Sequence, residues 1–524
     1  MSYWHFIVST PGPQIVVSVF IAATLSVLVL WGRKPRTPPG PRGWPFIGNA
    51  LDIPTKHPWK VYSQWSEDFH SDILSLQLPG ASLIILNSAK AVQDLLVKRS
   101  AMYSDRPRST MLSDLMGMSW VFGLMQYGNQ WKQHRKAFRR DFETDRTTEV
   151  RSHELLSVRR LLRRLLNSSV NYARDLQLTT GDAILSVTYG ISPKSEDDYF
   201  IRLAESLVSA LVEVSRAPYL VDMFPIFKII PEWFPGSGFK QQAKEWRRLG
   251  VDVRAVPFDH VKSEIAKGTA VSSIASHFLA SLDDDNPPVE GDTSEDLMRN
   301  ILAEAYLGGA GATVGTLCSF VLAMALYPDV QKTAQAAVDQ VLKRQRFPDF
   351  SDYGHIPYLD ALVNEVLRWN PGAPLGLFHA VNKDDYYNGY LIPKGSMIVP
   401  NVWAILHDEA VYGANPEEFS PERFLTPDNE RDKRVPDTDA AFGFGRRMCP
   451  GRVMGREMLW ITAASILATF DISDAVDQEG KPLDPALIEY TNSMSSRPPY
   501  FDCSFKLRSF VSESMVYNGV TDES

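Results

Sequence analysis

Phe442-Gly443-Phe444-Gly445-Arg446-Arg447-Met448-Cys449-Pro450-Gly451 is a glycine-bearing loop that runs through one cysteine into an apolar helical pattern, Gly451 to Phe470. Free backbone amides and the positive end of the following helix dipole favour the thiolate form of a cysteine so placed. A thiolate held in this way suits an anionic axial ligand to a metal, and Arg447 offers a cation to an acidic group on whatever carries that metal. Taken alone, the segment also reads as a helix-entry loop with an incidental cysteine. The rest of the chain has to decide.

The chain has 524 residues, 44% hydrophobic and 22% charged, which is the composition of a folded domain rather than of a disordered segment. A formal charge of -8 argues against nucleic acid as a partner, because neutralising phosphates requires concentrated lysine and arginine. Cys318, Cys449 and Cys503 are the three cysteines, far apart and without CxxC spacing, so neither a disulfide framework nor a zinc cage is implied. Cys318, in an apolar run, and Cys503 read as small buried hydrophobes in a reducing compartment.

From Ile15 to Trp31 no residue is charged, and the stretch is long enough to span a bilayer as a helix. Arg33, Lys34 and Arg36 follow it instead of preceding it, which favours a retained anchor over a cleaved signal peptide. The positive-inside rule then places everything after the anchor in the cytosol. On that topology the sequon Asn167-Ser168-Ser169 goes unused. The expected layout is an anchor with its basic flank (1–34), a proline-rich hinge (35–48), one large domain (49–511) and a polar tail (512–524).

Helix patterns dominate the large domain: Ala89 to Lys98, Gln130 to Phe142, Glu154 to Leu166, Leu297 to Leu326, Pro328 to Leu342, Tyr358 to Trp369 and Gly451 to Phe470. Strands are few, one around Leu83 to Leu86 and two flanking Asn388-Gly389, a dipeptide suited to a tight hairpin. The fold class is therefore mainly α with minor β. The run from Ile301 to Leu326 is as long as a membrane span, but it carries Glu304 and four glycines, each costing roughly 1 kcal/mol in a helix. It reads as a long buried central helix, starting near Thr293 or Ser294, where something flat approaches the backbone.

Phe442, Gly445, Arg447, Cys449 and Gly451 match, position by position, the haem-binding signature of the cytochrome P-450 superfamily, and the chain resembles that family over nearly its whole length. Glu365-Val366-Leu367-Arg368 resembles the family's ExxR helix, and Pro421-Glu422-Arg423-Phe424 its PERF segment, in the family's order. The resemblance is nearest to fungal secondary-metabolism members of the O-methylsterigmatocystin oxidoreductase type. It implies a cytochrome P-450 fold behind an amino-terminal transmembrane helix, with haem b ligated by Cys449. Glu365, Arg368 and Arg423 would form a buried network under the cysteine loop, although an i,i+3 Glu/Arg pair is often only a surface ion pair. Trp131 and Arg135, four apart on one helical face, and His379 would reach the haem propionates, with Phe442 beside the ring.

One departure matters. The family's central helix usually carries an acid followed by an alcohol that together deliver protons to oxygen, whereas this chain reads Gly308-Gly309-Ala310-Gly311-Ala312-Thr313. Gly311 stands for the acid and Ala312 for the alcohol, which leaves Thr313 as the nearest hydroxyl. The resemblance implies an endoplasmic-reticulum monooxygenase that takes electrons from an NADPH-dependent cytochrome reductase and inserts dioxygen-derived oxygen into a lipophilic small molecule, with a terpenoid as one candidate. Lys132, Arg135, Lys136, Arg139 and Arg140 are candidates for the docking face of the reductase. The pocket should draw on Met111 to Phe122, Tyr306, Ala310, Leu375 to Phe378 and Met494. The missing acid and alcohol keep two alternatives open: a rearrangement, dehydration or peroxide-driven catalyst, and a non-catalytic haem sensor.

Overall fold

The computed structural model describes residues 36–518 except 145–146, 168–170, 196, 217–218, 284–294, 310, 478 and 492–494. The expected anchor, Thr293, Ser294, Ala310 and Met494 lie outside the described residues. In chain order the elements that position the site begin with α1 (Pro58–Asp68), β1 (Ile73–Leu78), β2 (Ala81–Leu86), α2 (Asn129–Arg139), α3 (Thr147–Asn167), α4 (Tyr172–Tyr189), α5 (Tyr199–Arg216) and α6 (Gly238–Lys267). They continue with α7 (Glu295–Gly309), α8 (Ala312–Leu326), α9 (Pro328–Leu342), α10 (Pro357–Trp369), β3 (His379–Ala380), β4 (Asp385–Tyr387), β5 (Tyr390–Ile392) and β6 (Met397–Pro400). The last are α11 (Arg452–Thr469), β7 (Phe470–Val476), β8 (Asp502–Leu507) and α12 (Glu513–Asn518). The fold is mainly helical with minor β.

Local chemistry explains the boundaries. Proline opens α1, α9 and α10 at the first turn, where a missing amide costs nothing. The hairpin between β4 and β5 turns on Asn388 (φ 51°) and Gly389 (φ 80°), the left-handed pair that a two-residue turn requires. One sheet has the order β1-β2-β6-β3; β2 and β6 run parallel, with Ile84 opposite Ile398. Within the segment expected to be a polar tail, α12 buries Val516, and the Tyr517 hydroxyl donates to Asn167 at 2.7 Å.

The expected long central helix runs from Glu295 to Leu326, described as α7 and α8 on either side of residue 310, with Gly311 preceding α8 at φ -111° and ψ -70°. Among the described residues it is also the one helix long and apolar enough to cross a membrane, and most of that apolar window is buried within the domain. From Val314 to Met324 every residue of α8 is buried, the pattern of a core helix packed on all sides. Two of its glycines have identifiable neighbours. A Cβ at Gly309 would lie 3.0 Å from Ile184 of α4, and one at Gly315 would lie 2.8 Å from the Ser496 carbonyl oxygen.

Candidate active site

The cysteine loop is fixed by its own backbone. The Cys449 amide donates to the Phe442 carbonyl at 2.7 Å, and Gly443 (φ 83°) and Gly445 (φ 56°) take conformations that side chains avoid. Gly445 has a second constraint, because a Cβ there would sit 2.2 Å from the Leu96 carbonyl oxygen. Phe442 is partly buried, with the Arg456 guanidinium 5.7 Å from its ring centre. Burial pushes the Cys449 thiol up, while the Gly451 amide and the nearby Arg135 and Arg452 charges pull it back towards the thiolate. A cationic metal completes that balance in favour of the anion.

Beneath the loop lies the charged network. Glu365 and Arg368 are fully buried on α10, joined by Nε–Oε2 at 2.6 Å and NH2–Oε1 at 2.9 Å. Arg423 donates through Nε to Glu365 at 3.1 Å, and the Ser420 amide donates to the same oxygen at 2.7 Å. The remaining Arg368 protons go to the carbonyls of Leu406, Pro416 and Glu418. Every strong donor is satisfied away from water, so the surface-pair reading of Glu365/Arg368 is excluded here.

On the central helix, Gly308 near the end of α7 and Ala312 at the start of α8 are both exposed, and Glu304, one turn before Gly308, is within electrostatic reach of Cys449. Glycine and alanine at those positions leave the helix face flat. Thr313 is partly buried on the adjoining face, and nothing within 4 Å would meet a Cβ at Gly308. Tyr306 points elsewhere than expected: it is fully buried, edge-on to Tyr189, and its hydroxyl donates to the Phe200 carbonyl.

Trp131 and Arg135 share one face of α2. Arg135 donates to the Met448 carbonyl at 2.9 Å, and the Arg447 guanidinium stacks 4.7 Å from the Trp131 ring centre. Arg447 itself is buried, donating to the carbonyls of Ser104 (2.7 Å), Phe122 (3.1 Å) and Met125 (2.5 Å). His379 is buried at the start of β3, and its Nδ1 donates to the Tyr103 carbonyl at 2.8 Å. Burial, then the charge of Arg106, pushes His379 down to about 3. The structure therefore brings Trp131, Arg135, His379, Phe442, Arg447 and Cys449 into one neighbourhood; Thr313 stands apart on α8 in the chain's order.

Sequence reasoning missed two residues there. Arg106, fully enclosed, donates to the carbonyls of Gly123 (2.9 Å), Leu377 (2.7 Å) and Phe378 (2.8 Å). Glu304 accepts the amides of Phe122 (2.5 Å) and Gly123 (2.8 Å). No motif flags Arg106. Glu304 could have been found as the lone acid between Ile301 and Leu326.

A loop cysteine with amide and guanidinium support and a cluster of arginines beside it suit an anionic tetrapyrrole ligated by sulfur. The donor set thus fits haem b, and the class is a haem-thiolate protein. The cytochrome P450 family model matches residues 38–497. The chain is 66% identical over 492 residues to cytochrome P450 monooxygenase eriA of Hericium erinaceus, covering 94% of this chain and 92% of that one. A cytochrome P450 monooxygenase of Armillaria gallica is 41% identical (95% and 98% covered), and tryptamine 4-monooxygenase of Psilocybe cyanescens is 38% identical (90% and 93% covered). The chain belongs to the cytochrome P450 family; it is a monooxygenase that binds haem b through a cysteine thiolate.

Proposed function

We propose that the protein oxidises a lipophilic small molecule of secondary metabolism, using dioxygen and electrons from an NADPH-dependent reductase, at the cytosolic face of the endoplasmic reticulum. The observation that carries this reading is the small, exposed Gly308/Ala312 pair on the central helix whose Glu304 is within electrostatic reach of Cys449. Such a surface selects by shape and favours an apolar ligand. The haem, when bound, supplies the oxygen chemistry, and thiolate donation favours O–O cleavage. The protein's own groups bind, orient and exclude water.

Cys449 would hold the haem iron through its thiolate. Trp131, Arg135, His379 and Arg447 would hold the propionates; for His379, which burial keeps neutral with Nδ1 donating to Tyr103, that contact would need the propionate's charge to restore a proton at Nε2. Thr313 is the hydroxyl closest in sequence to the missing acid and alcohol, and it orders the water that carries protons inwards. Trp131, Lys132, Arg135, Lys136, Arg139 and Arg452 line an open groove of about 440 Å³, a cationic surface suited to an acidic reductase.

Membrane association is supported by the apolar Ile15–Trp31 run and by exposed Leu220, Ile226, Ile229 and Trp233 (81% exposed) between α5 and α6. A terpenoid is the first substrate class to test and an indole the second, the latter because one relative is a tryptamine 4-monooxygenase. Gly311 and Ala312 favour one competing reading, a rearrangement or sensing role that needs no proton relay.

The test is the carbon monoxide difference spectrum of the reduced, membrane-expressed protein, followed by NADPH consumption with reductase and candidate substrates. Substrate-dependent consumption with an oxygenated product supports the proposal. A thiolate-type band with no turnover on any candidate favours the competing reading.

A further inference from the structure

Three side chains converge on one dipeptide through four hydrogen bonds. Glu304 takes both amides of Phe122-Gly123, through Oε2 and Oε1 respectively. The two carbonyls of the same dipeptide go to opposite partners: Phe122 O accepts from Arg447 at 3.1 Å and Gly123 O from Arg106 at 2.9 Å. Each partner stands on a different element. Glu304 is on α7, Arg447 in the cysteine loop, and Arg106 in the segment between β2 and α2, from which it also grips Leu377 and Phe378.

Glu304 precedes Gly308 by one turn of α7, so the two share a helical face. Its charge is felt at Cys449, Arg106 and Arg447. Packing there is tight: a Cβ at Gly123 would lie 2.7 Å from Glu304 Oε1. Phe122 is buried against His134 and Phe138 of α2, and the apolar cluster around it takes in Met118, Trp120 and Val121.

The carboxylate has no ordinary structural reason to be there. It caps no helix and pairs with no surface lysine, and burial pushes it up to about 8 against the pull of two amides and two guanidiniums. A buried acid of that kind is costly unless its contacts are needed. What it does is hold a short irregular segment, which has no strand or long helix of its own, in one conformation against the central helix.

We propose that Glu304 is a positioning residue: with Arg106 and Arg447 it clamps the Phe122-Gly123 peptide and so sets the shape of the pocket wall that decides which substrates fit. The proposal deepens the monooxygenase reading and rests on it only for the purpose of the pocket. Its test requires bound haem but no turnover, so the two ideas fail separately.

The probes are imidazole, too small to reach the wall, and 4-phenylimidazole, whose ring extends past the iron into the pocket. Binding of each to the ferric, haem-loaded protein is read from the shift of the Soret band. In Glu304→Ala the dissociation constant of 4-phenylimidazole should change by about tenfold or more while that of imidazole stays constant, and the amides of residues 122–123 should exchange with deuterium about tenfold faster. Glu304→Gln, which keeps one carbonyl acceptor, should fall between wild type and alanine and remains testable if the alanine variant fails to load haem. An unchanged ratio of the two constants in a folded, haem-loaded variant would overturn the proposal. So would a lowered melting temperature with faster exchange everywhere and no change in that ratio, because Glu304 would then serve general stability alone.

Discussion

The Cys449 amide donates to the Phe442 carbonyl at 2.7 Å, and this bond closes the glycine-bearing loop on itself just ahead of α11. The turn depends on glycine at two left-handed positions, and on Arg135, which holds the Met448 carbonyl from the far side at 2.9 Å. Ligand geometry is thus set by backbone contacts before any haem arrives.

Gly445→Ala should disable the loop. The substitution places a Cβ at φ 56°, a conformation costing about 1–3 kcal/mol, and drives it against the Leu96 carbonyl oxygen at 2.2 Å. Since that oxygen is backbone, no side chain can move aside. The expected outcome is at least about a tenfold loss of the thiolate-type carbon monoxide band per milligram of protein, whereas Gly238→Ala, at a position without a positive φ and with nothing within 4 Å of its Cβ, should retain it.

Glu365→Gln should destabilise the holoenzyme by about 3–5 kcal/mol, because it leaves Arg368 and Arg423 facing a neutral amide in a site closed to water. Glu417→Gln is the matched control. Its partner Lys60 is exposed, and loss of such a pair should not move the urea midpoint measurably. Equal midpoints for the two variants would show that the buried network carries no weight.

How legible this was in the sequence depends on what each residue does. Cys449, Glu365, Arg368 and Arg423 were readable because ligation and a buried ion network tolerate few residue types at fixed spacing. The hairpin at Asn388-Gly389 was readable because two successive positive φ angles select that dipeptide. Other features come from long-range packing, which leaves no local period. The close approach of Gly309 and Gly315 to Ile184 and Ser496, the inward turn of Tyr306 onto Phe200, 106 residues earlier, and the roles of Arg106 and Glu304 in a loop fold that no spacing encodes are of this kind. The charge runs on α2 were visible, but only the fold shows that they share a groove with Arg452.

Asp360 ties the ExxR helix to the helix behind the cysteine, accepting the Trp460 indole N–H at 2.8 Å. Burial pushes its carboxyl up to about 6, above its ordinary range, against the pull of that indole and of Arg456. The folded state therefore holds this proton more tightly than the unfolded chain does. Its contribution favours folding at low pH, is eroded as pH rises from about 4 to 6, and is constant above that. Asp360→Asn keeps an oxygen for the indole and removes the titration. Relative to wild type it should gain up to about 2 kcal/mol in unfolding free energy between those limits, with parallel curves at higher pH, measured by urea unfolding of the holoenzyme. Parallel curves throughout would mean that the carboxyl titrates normally.

Thr313→Ala probes how protons arrive. With glycine and alanine at the usual acid and alcohol positions, any relay must use another hydroxyl or water, and Thr313 is next along α8 and only partly buried. Thr316 is less suited, since its hydroxyl already donates to the Ala312 carbonyl at 3.2 Å. Removing one hydroxyl should leave the carbon monoxide band and azole binding intact, because no ligand to the haem is touched. It should lower the yield of product per NADPH by about tenfold, with the lost electrons recovered as hydrogen peroxide. Unchanged coupling would take Thr313 out of the relay and shift the proton source to the substrate's own hydroxyl or to water ordered by backbone. In that case Ala312→Thr, which restores an alcohol at the usual position on the exposed face of α8, should leave coupling unaltered as well, since the native route bypasses the helix altogether.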